Sequence, residues 1–320
     1  MIDYETEILD VREIYKESGY CFHIPIPKYL SVSDTMEKGS DSKLRLYENG
    51  IELTESHSHH EQIRKIGRGK FSHWYEVLYF SSSDNSDPGT NGKQYSIDFK
   101  VRVFLIGTCR LHLTLNPTLK NPTIYPEEKL VIYSFNKYYP HYTKEILQYL
   151  DILAGRVHLP DELLVDSGPP GPETYLQEMS SRLMSSDIVL IEISSMKKIP
   201  VEVQGSTFYL NLNKHYNRTK KKDSSLMSSE EICSDLRTLC ERLRGKKILF
   251  FTHHATAKSL ARNFLVDLIS DECARLNHPV FRPHEYTRSE FERYIPDGNH
   301  YSQEGLVLIR NALLDQLKNM

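Results

Sequence analysis

The pattern of apolar and polar positions changes near residue 100 of this 320-residue chain. Beyond it, short and nearly continuous apolar runs alternate with longer amphipathic stretches, which is typical of parallel strands covered on both faces by helices. The predicted strands are 101–107, 129–135, 187–194, 246–252 and 278–283. The predicted helices are 141–154, 171–184, 228–244, 256–276 and 302–318. The pattern predicts a flavodoxin-like, doubly wound parallel α/β sheet of about five strands.

The first hundred residues show little helical periodicity. One helix is predicted at 5–18, and an aromatic and β-branched segment at 72–80 is typical of a strand. Residues 81–92 are dense in Ser, Asp, Asn, Pro and Gly, which indicates a loop. We therefore predict a smaller N-terminal module, α+β or mostly β, at 1–97 and an α/β domain at 98–320.

Composition excludes several classes of protein. The 40 basic and 43 acidic residues give a net charge of −3, which argues against nucleic-acid binding by phosphate neutralisation. No apolar run reaches membrane-spanning length, and the acidic start does not resemble a secretion signal, so we expect a cytoplasmic protein without a membrane span. The five cysteines are scattered without a CxxC pair, which predicts neither a disulfide framework nor a zinc site. Nothing in the sequence sets an oligomeric state.

A cysteine follows the first strand of the predicted sheet. In open parallel sheets, ligands bind beyond the carboxyl ends of the strands, and Gly107-Thr108-Cys109-Arg110 lies at such an end. A helix that begins there would lower the pKa of the thiol and offer the N–H of Cys109 to an oxyanion. Cys109 is therefore a candidate nucleophile; the alternative is a small buried thiol beneath the next helix.

An acid–base pair precedes the last predicted helix, in the block Asp297-Gly298-Asn299-His300. An aspartate can accept the Nδ1–H of an imidazole and leave Nε2 free to act as a base. Asp297 and His300 are candidates for these roles. The alternatives are an Asx turn for Asp297 and a surface histidine for His300.

A nucleophile after the first strand and Asp-x-x-His before the last helix resemble the SGNH (GDSL-type) hydrolase superfamily over about residues 101–320. By this resemblance, Cys109 takes the place of the family's serine, and Asp297 and His300 complete a Cys-His-Asp triad. The GTCR block is similar to the GNC and GSC blocks of relatives associated with surface-polysaccharide biosynthesis. The resemblance implies an esterase or acyltransferase acting on an acyl group, typically O-acetyl, of a glycan. It implies no required cofactor, with acyl-CoA as one acyl donor.

The family's other oxyanion donors have no clean match in this chain. Asn136, Ser194 and Ser195 are the candidates to replace them, since they follow the second and third predicted strands. His253 follows the fourth strand and is a candidate to line the pocket, and Arg110 is a candidate to meet phosphates of an acyl donor. The missing donor block leaves the alternative of a non-catalytic binding or scaffold protein of polysaccharide biosynthesis with a retained SGNH-like fold.

The N-terminal module carries a histidine-rich stretch with neighbouring aromatic residues. Its members are His57, His59, His60, His73, Trp74, Tyr75 and Tyr79. The histidine spacing is not diagnostic of a metal site, and we predict none. The rings of Trp74, Tyr75 and Tyr79 suggest either core packing or carbohydrate recognition.

Overall fold

The structure is a computed structural model, and it describes residues 7–39, 42–117, 122–125, 127, 129–134, 139–163, 171–209, 224–253, 259–298 and 300–320. The chain divides into two compact units, Met1–Lys100 and Val101–Met320. We call them the N-terminal and C-terminal units and describe each by itself.

The N-terminal unit contains two four-stranded antiparallel sheets. Its strands are β1 (Glu7–Ile8), β2 (Tyr15–Ser18), β3 (Cys21–Pro25), β4 (Arg45–Glu48), β5 (Ile51–Leu53), β6 (Phe71–Trp74), β7 (Val77–Phe80) and β8 (Tyr95–Asp98). The strand order is β1-β8-β4-β5 in one sheet and β2-β3-β7-β6 in the other. The α-helix α1 (His60–Lys65) and two 3-10 helices, Val11–Glu13 and Pro27–Val32, complete its regular elements within the described ranges. The prediction of a mostly β module is confirmed.

Both sheets contribute to one apolar core. Phe22 and Leu78 come from the second sheet, and Leu46 and Ile97 come from the first; all four are almost fully buried in the same cluster. Strands β3, β7 and β8 each present alternate side chains to this core, as strands of two packed sheets do. The unit is therefore a small β-sandwich.

The helix predicted at 5–18 is wrong. β1 pairs with β8 and β2 pairs with β3, with the 3-10 helix Val11–Glu13 between them. Residues 7–8 thus pair with a strand far along the chain, and residues 15–18 form a hairpin with the strand that follows them, so tertiary and hairpin pairing replaces the helix.

The C-terminal unit contains a six-stranded sheet. Its elements up to the third parallel strand are β9 (Val101–Ile106), α2 (Cys109–Leu115), β10 (Thr123–Tyr125), β11 (Leu130–Tyr133), α3 (Thr143–Leu153), a 3-10 helix Asp161–Leu163, α4 (Pro172–Ser185) and β12 (Ile188–Ile193). Two short ribbons follow, formed by β13 (Lys197–Lys198) with β16 (Ser225–Leu226), and by β14 (Val201–Val203) with β15 (Ser206–Phe208). The remaining elements are α5 (Ser229–Arg242), β17 (Lys247–Thr252), α6 (Leu260–Arg275), β18 (Val280–Phe281), α7 (His284–Thr287), a 3-10 helix Arg288–Glu290, α8 (Phe291–Tyr294) and α9 (Gln303–Lys318).

The strand order of this sheet is β10-β11-β9-β12-β17-β18, and only β10 runs antiparallel. Numbered along the chain, the five parallel strands lie in the order 2-1-3-4-5, which is the flavodoxin-like arrangement. Helices α2 and α9 pack on one face of the sheet, and α3, α4, α5 and α6 pack on the other. The predicted doubly wound α/β sheet is confirmed. In the described part of the chain, no helix is long and apolar enough to cross a bilayer.

Two buried histidines predict acid sensitivity. His112 on α2 and His73 on β6 are both 2% exposed, and burial lowers their pKa values to about 3 and about 4. In the unfolded chain these two histidines have a pKa near 6.5, so below that pH they bind protons in the unfolded state but not in the folded state. The free energy of unfolding therefore falls as the pH drops below 6.5. Between pH 7 and pH 5, each histidine is expected to lower the free energy of unfolding by about 2 kcal/mol.

Urea unfolding at pH 7 and pH 5 measures this effect. His112→Gln keeps a polar partner for Ser134 Oγ, which lies 2.6 Å from the imidazole Nδ1, and it removes the titrating group. The variant is expected to lose less stability than the wild type between the two pH values. An equal loss in both proteins would contradict the prediction.

Candidate active site

The first and third parallel strands meet at the point where the winding of the sheet reverses. β9 and β12 are direct neighbours, with Ile106 opposite Ile191, and the connections that leave them diverge. Such a switch point opens a crevice at the carboxyl ends of the strands. Gly107 follows β9 in this crevice, and a Cβ there would lie 2.6 Å from the Cβ of Glu192. Glycine therefore allows the turn after β9 to press against β12.

Cys109 is the first residue of α2. Thr108 caps the helix, with its hydroxyl accepting the N–H of Arg110 at 3.3 Å. Cys109 is partly exposed, and within the described ranges its backbone N–H makes no hydrogen bond. A thiolate at this position would lie at the positive end of the helix dipole, beside a free N–H donor.

A fully buried carboxylate supports the turn that carries the cysteine. Oε2 of Glu192 accepts hydrogen bonds from the N–H of Thr108 at 2.8 Å and from its hydroxyl at 2.5 Å. Oε1 lies 3.3 Å from Nη2 of Arg110, whose side chain is 13% exposed. Glu192 was not among the predicted site residues, although a lone acidic residue in the apolar strand Ile188–Ile193 is a signal that could have found it.

The side chains of Asp297 and His300, the residues predicted to act as acid and base, contact each other. Oδ2 of Asp297 lies 2.6 Å from Nδ1 of His300, and Oδ1 accepts the backbone N–H of His300 at 2.7 Å. Both side chains are exposed, at 53% and 69%. Asp297 thus holds Nδ1 and leaves Nε2 of His300 facing away from it. Among the described residues, no hydrogen bond joins Cys109 to His300.

Two further residues relate this pair to the cysteine turn. Nη1 of Arg262 on α6 donates to the carbonyl of Gly298 at 3.2 Å, and desolvation together with the positive charge of Arg110 lowers the pKa of Arg262. Desolvation raises the pKa of Tyr301, the neighbour of His300, and the charge of Glu192 raises it further. The loop that carries Asp297 and His300 therefore lies within electrostatic range of the Glu192–Arg110 pair.

Tyr139 packs against α2, the helix that begins with Cys109. Desolvation raises the pKa of its phenol, and the charge of Cys109 raises it further. Its ring packs edge-on against His112 at a centroid distance of 5.1 Å. Tyr139 thus adds a phenol beside α2 that no motif in the sequence pointed to.

The predicted oxyanion candidates occupy different environments. The backbone N–H groups of Ser194 and Ser195 both donate to the carbonyl of His141, at 2.9 and 3.0 Å. The hydroxyl of Ser194 lies 3.1 Å from Nδ1 of His141, and that of Ser195 accepts the N–H of Lys197. His253 is 3% exposed after β17. Asn136 lies outside the described residues.

The comparisons with known proteins give matches of low similarity only. A family model described as the TviD N-terminal domain matches residues 101–227, less than half of the chain. No curated protein sequence matches significantly. The solved structures similar to this chain include a lipase/acylhydrolase from Enterococcus faecalis (12% identity, 68% of this chain, 96% of that chain, TM-score 0.37). They also include a GDSL-like lipase from Bacteroides thetaiotaomicron (11% identity, 68% of this chain, 87% of that chain, TM-score 0.36). A third is a family two carbohydrate esterase from Clostridium thermocellum in complex with cellohexaose (12% identity, 86% of this chain, 85% of that chain, TM-score 0.28).

Proposed function

We propose that this protein is an acyl-transfer enzyme that uses Cys109 as its nucleophile. Its substrate in this proposal is an acyl ester, most simply an O-acetyl group, of a glycan in polysaccharide biosynthesis. The observation that carries the proposal is the fully buried Glu192, which together with Arg110 holds the turn that presents Cys109. A nucleophile and an oriented base around one crevice are the minimum that acyl transfer requires.

The proposed reaction has two halves. Sγ of Cys109 attacks the acyl carbonyl carbon while its proton passes to Nε2 of His300, and Asp297 stabilises the resulting imidazolium. The bond between the carbonyl carbon and the leaving oxygen or sulfur then breaks, and His300 returns its proton to that atom. Water or a sugar hydroxyl attacks the thioester on Cys109, gives its proton to His300, and releases the thiol.

The tetrahedral oxyanion needs donors that are not already occupied. The N–H of Cys109 is available in the described part of the chain, and the ring of Tyr139 packs against His112 on the helix that Cys109 begins. By contrast, the backbone N–H groups of Ser194 and Ser195 are committed to the carbonyl of His141. We therefore assign oxyanion stabilisation to Cys109 N–H and Tyr139.

The acyl donor is either an ester or an acyl-CoA thioester, and no other cofactor enters the proposed chemistry. A thiol nucleophile and five free cysteines suit a reducing compartment, so we place the reaction in the cytoplasm. Arg110 is a candidate to meet an anionic part of the donor.

A second candidate function is a non-catalytic binding or scaffold protein of polysaccharide biosynthesis. It is favoured by one observation: within the described residues, no hydrogen bond links the cysteine to the exposed imidazole of His300. In that function the Glu192 network would only stabilise the fold.

Mass spectrometry after incubation with acetyl-CoA and with p-nitrophenyl acetate tests the enzymatic proposal. An acetyl adduct is expected on Cys109, absent in Cys109→Ala and formed at least roughly 100-fold more slowly in His300→Ala. Cys240→Ala is the matched control, because burial raises the pKa of that thiol to about 11 and leaves it unreactive. An unchanged adduct in Cys109→Ala, or no adduct with either donor, would favour the scaffold function.

A further inference from the structure

The N-terminal unit contains an open cavity of about 450 Å³, which is within the range of small-ligand sites. Its lining includes Asp34, Met36, His57, His60, Ser72 and Trp74. We call it the His57 cavity. All of these lining residues belong to the N-terminal unit, whereas the chemistry proposed for Cys109 is argued from the C-terminal unit alone.

A buried carboxylate fixes one wall of the His57 cavity. Asp34 is 1% exposed; its Oδ1 accepts the N–H of Ser42 at 2.8 Å, and its Oδ2 lies 2.7 Å from Nδ1 of His57. The backbone of Asp34 is held as well, since its N–H donates to His73 and its carbonyl accepts from Tyr75. With Nδ1 bound to Asp34, the partly exposed imidazole of His57 keeps Nε2 available to a ligand.

His57 has a backbone conformation that is costly for its residue type. Its φ of 52° lies in the left-handed region, which costs a residue with a Cβ about 1–2 kcal/mol. Strain of this kind persists where the surrounding structure holds it, and it is concentrated at functional sites. Here the hydrogen bond to Asp34 holds His57 in this conformation and fixes its imidazole at the cavity wall.

Trp74 gives the cavity a half-buried aromatic surface. Its ring packs edge-on against His60 at a centroid distance of 6.2 Å, and burial lowers the pKa of His60, which keeps that imidazole neutral at neutral pH. Ser58 and Ser72 belong to the same lining. The cavity thus combines an aromatic ring with neutral donors and acceptors and with a carboxylate that is already hydrogen-bonded.

This combination fits a sugar. A pyranose has C–H faces that pack on an aromatic ring and hydroxyls that exchange hydrogen bonds with imidazole and hydroxyl groups. A bound metal does not account for the cluster, because the residues that the structure describes contain no group of three or more His, Cys, Asp or Glu side chains able to hold an ion. We propose that the His57 cavity is a carbohydrate-binding site, with Trp74 as its platform and His57 as its hydrogen-bonding anchor.

The sequence provides a direct probe, because Trp74 is the single tryptophan in the chain. Its fluorescence in the full-length protein therefore reports on this cavity alone. The titration uses three probes: cellohexaose, chitotetraose and tetragalacturonate, which represent neutral hexose, N-acetylhexosamine and hexuronic acid chains. A saturable change is expected with at least one of them, and Cys109→Ala is expected to give the same curve.

Two variants test the assignment of roles. His57→Asn removes the imidazole but suits the left-handed backbone, because asparagine tolerates positive φ, and it is expected to weaken binding at least roughly tenfold. Trp74→Phe, followed by calorimetry, is expected to weaken binding by a similar factor. The proposal is overturned if none of the three probes binds the wild type, or if both variants bind as tightly as the wild type.

Discussion

Glu192→Ala is expected to lower the free energy of unfolding of the C-terminal unit by about 3–5 kcal/mol. The carboxylate is fully buried and is paired with Arg110, whose side chain is only 13% exposed. Removing it leaves a nearly buried guanidinium without its carboxylate and deprives the N–H and hydroxyl of Thr108 of their acceptor. Urea unfolding at pH 7, with the C-terminal unit followed separately, measures the loss.

Glu202→Ala is the matched control for this substitution. Glu202 is also a glutamate on a strand, but it is exposed on β14, where its carboxylate accepts the hydroxyl of Thr207. Its removal is expected to change stability by no more than about 0.5 kcal/mol. A loss below about 1 kcal/mol for Glu192→Ala would show that the ion pair does not support the cysteine turn.

The double variant Glu192→Leu with Arg110→Leu separates charge pairing from packing. Replacing both members of a buried ion pair by apolar residues often restores stability, whereas removing one member does not. Recovery in the double variant would identify the lost charge pairing between Glu192 and Arg110 as the origin of the lower stability. The fold would then tolerate apolar residues at both positions, and the charged pair would be explained by its place beside Cys109.

Parts of this fold could be predicted because they depend on local pattern. The strand predicted at 187–194 is observed as Ile188–Ile193, and the helix predicted at 302–318 as Gln303–Lys318. The strand is apolar and buried almost throughout, and the helix buries the apolar residues that recur along one of its faces. The failure at 5–18 has the same origin, because Ile8, Val11 and Ile14 are spaced by three residues, as in a helix. The structure instead pairs β1 with the distant strand β8 and β2 with the next strand, β3.

Some residues of the candidate site could also be predicted from local sequence, and others could not. Cys109, Asp297 and His300 stand in short motifs, so the sequence alone pointed to them. Glu192 and Arg262 enter through contacts across the fold, with Thr108 and Gly298 respectively. No spacing along the chain encodes such contacts, although a single acid within an apolar strand remains a useful sign of a buried polar network.

Gly19→Ala is expected to destabilise the N-terminal unit by roughly 3 kcal/mol or more. Gly19 lies in the tight turn between β2 and β3 with a φ of 57°. A Cβ there would lie 2.2 Å from the carbonyl oxygen of Arg64 at the end of α1, and this oxygen also accepts the N–H of Tyr20. Because the obstacle is backbone, relief requires the turn and α1 to move apart and to lose that hydrogen bond.

Gly50→Ala separates the two components of this cost. Gly50 follows Asn49 in the turn between β4 and β5, with a φ of 78°, and its Cβ would meet none of the described residues within 4 Å. Gly50→Ala is expected to lower the free energy of unfolding only by the strain of a left-handed backbone, about 1–2 kcal/mol. Urea unfolding of both variants, followed through Trp74 fluorescence, gives the difference, which measures how firmly the end of α1 is held against the β2–β3 turn. Equal losses would mean that α1 can withdraw from the turn at no cost, and the contact with Arg64 would then not stabilise the sandwich.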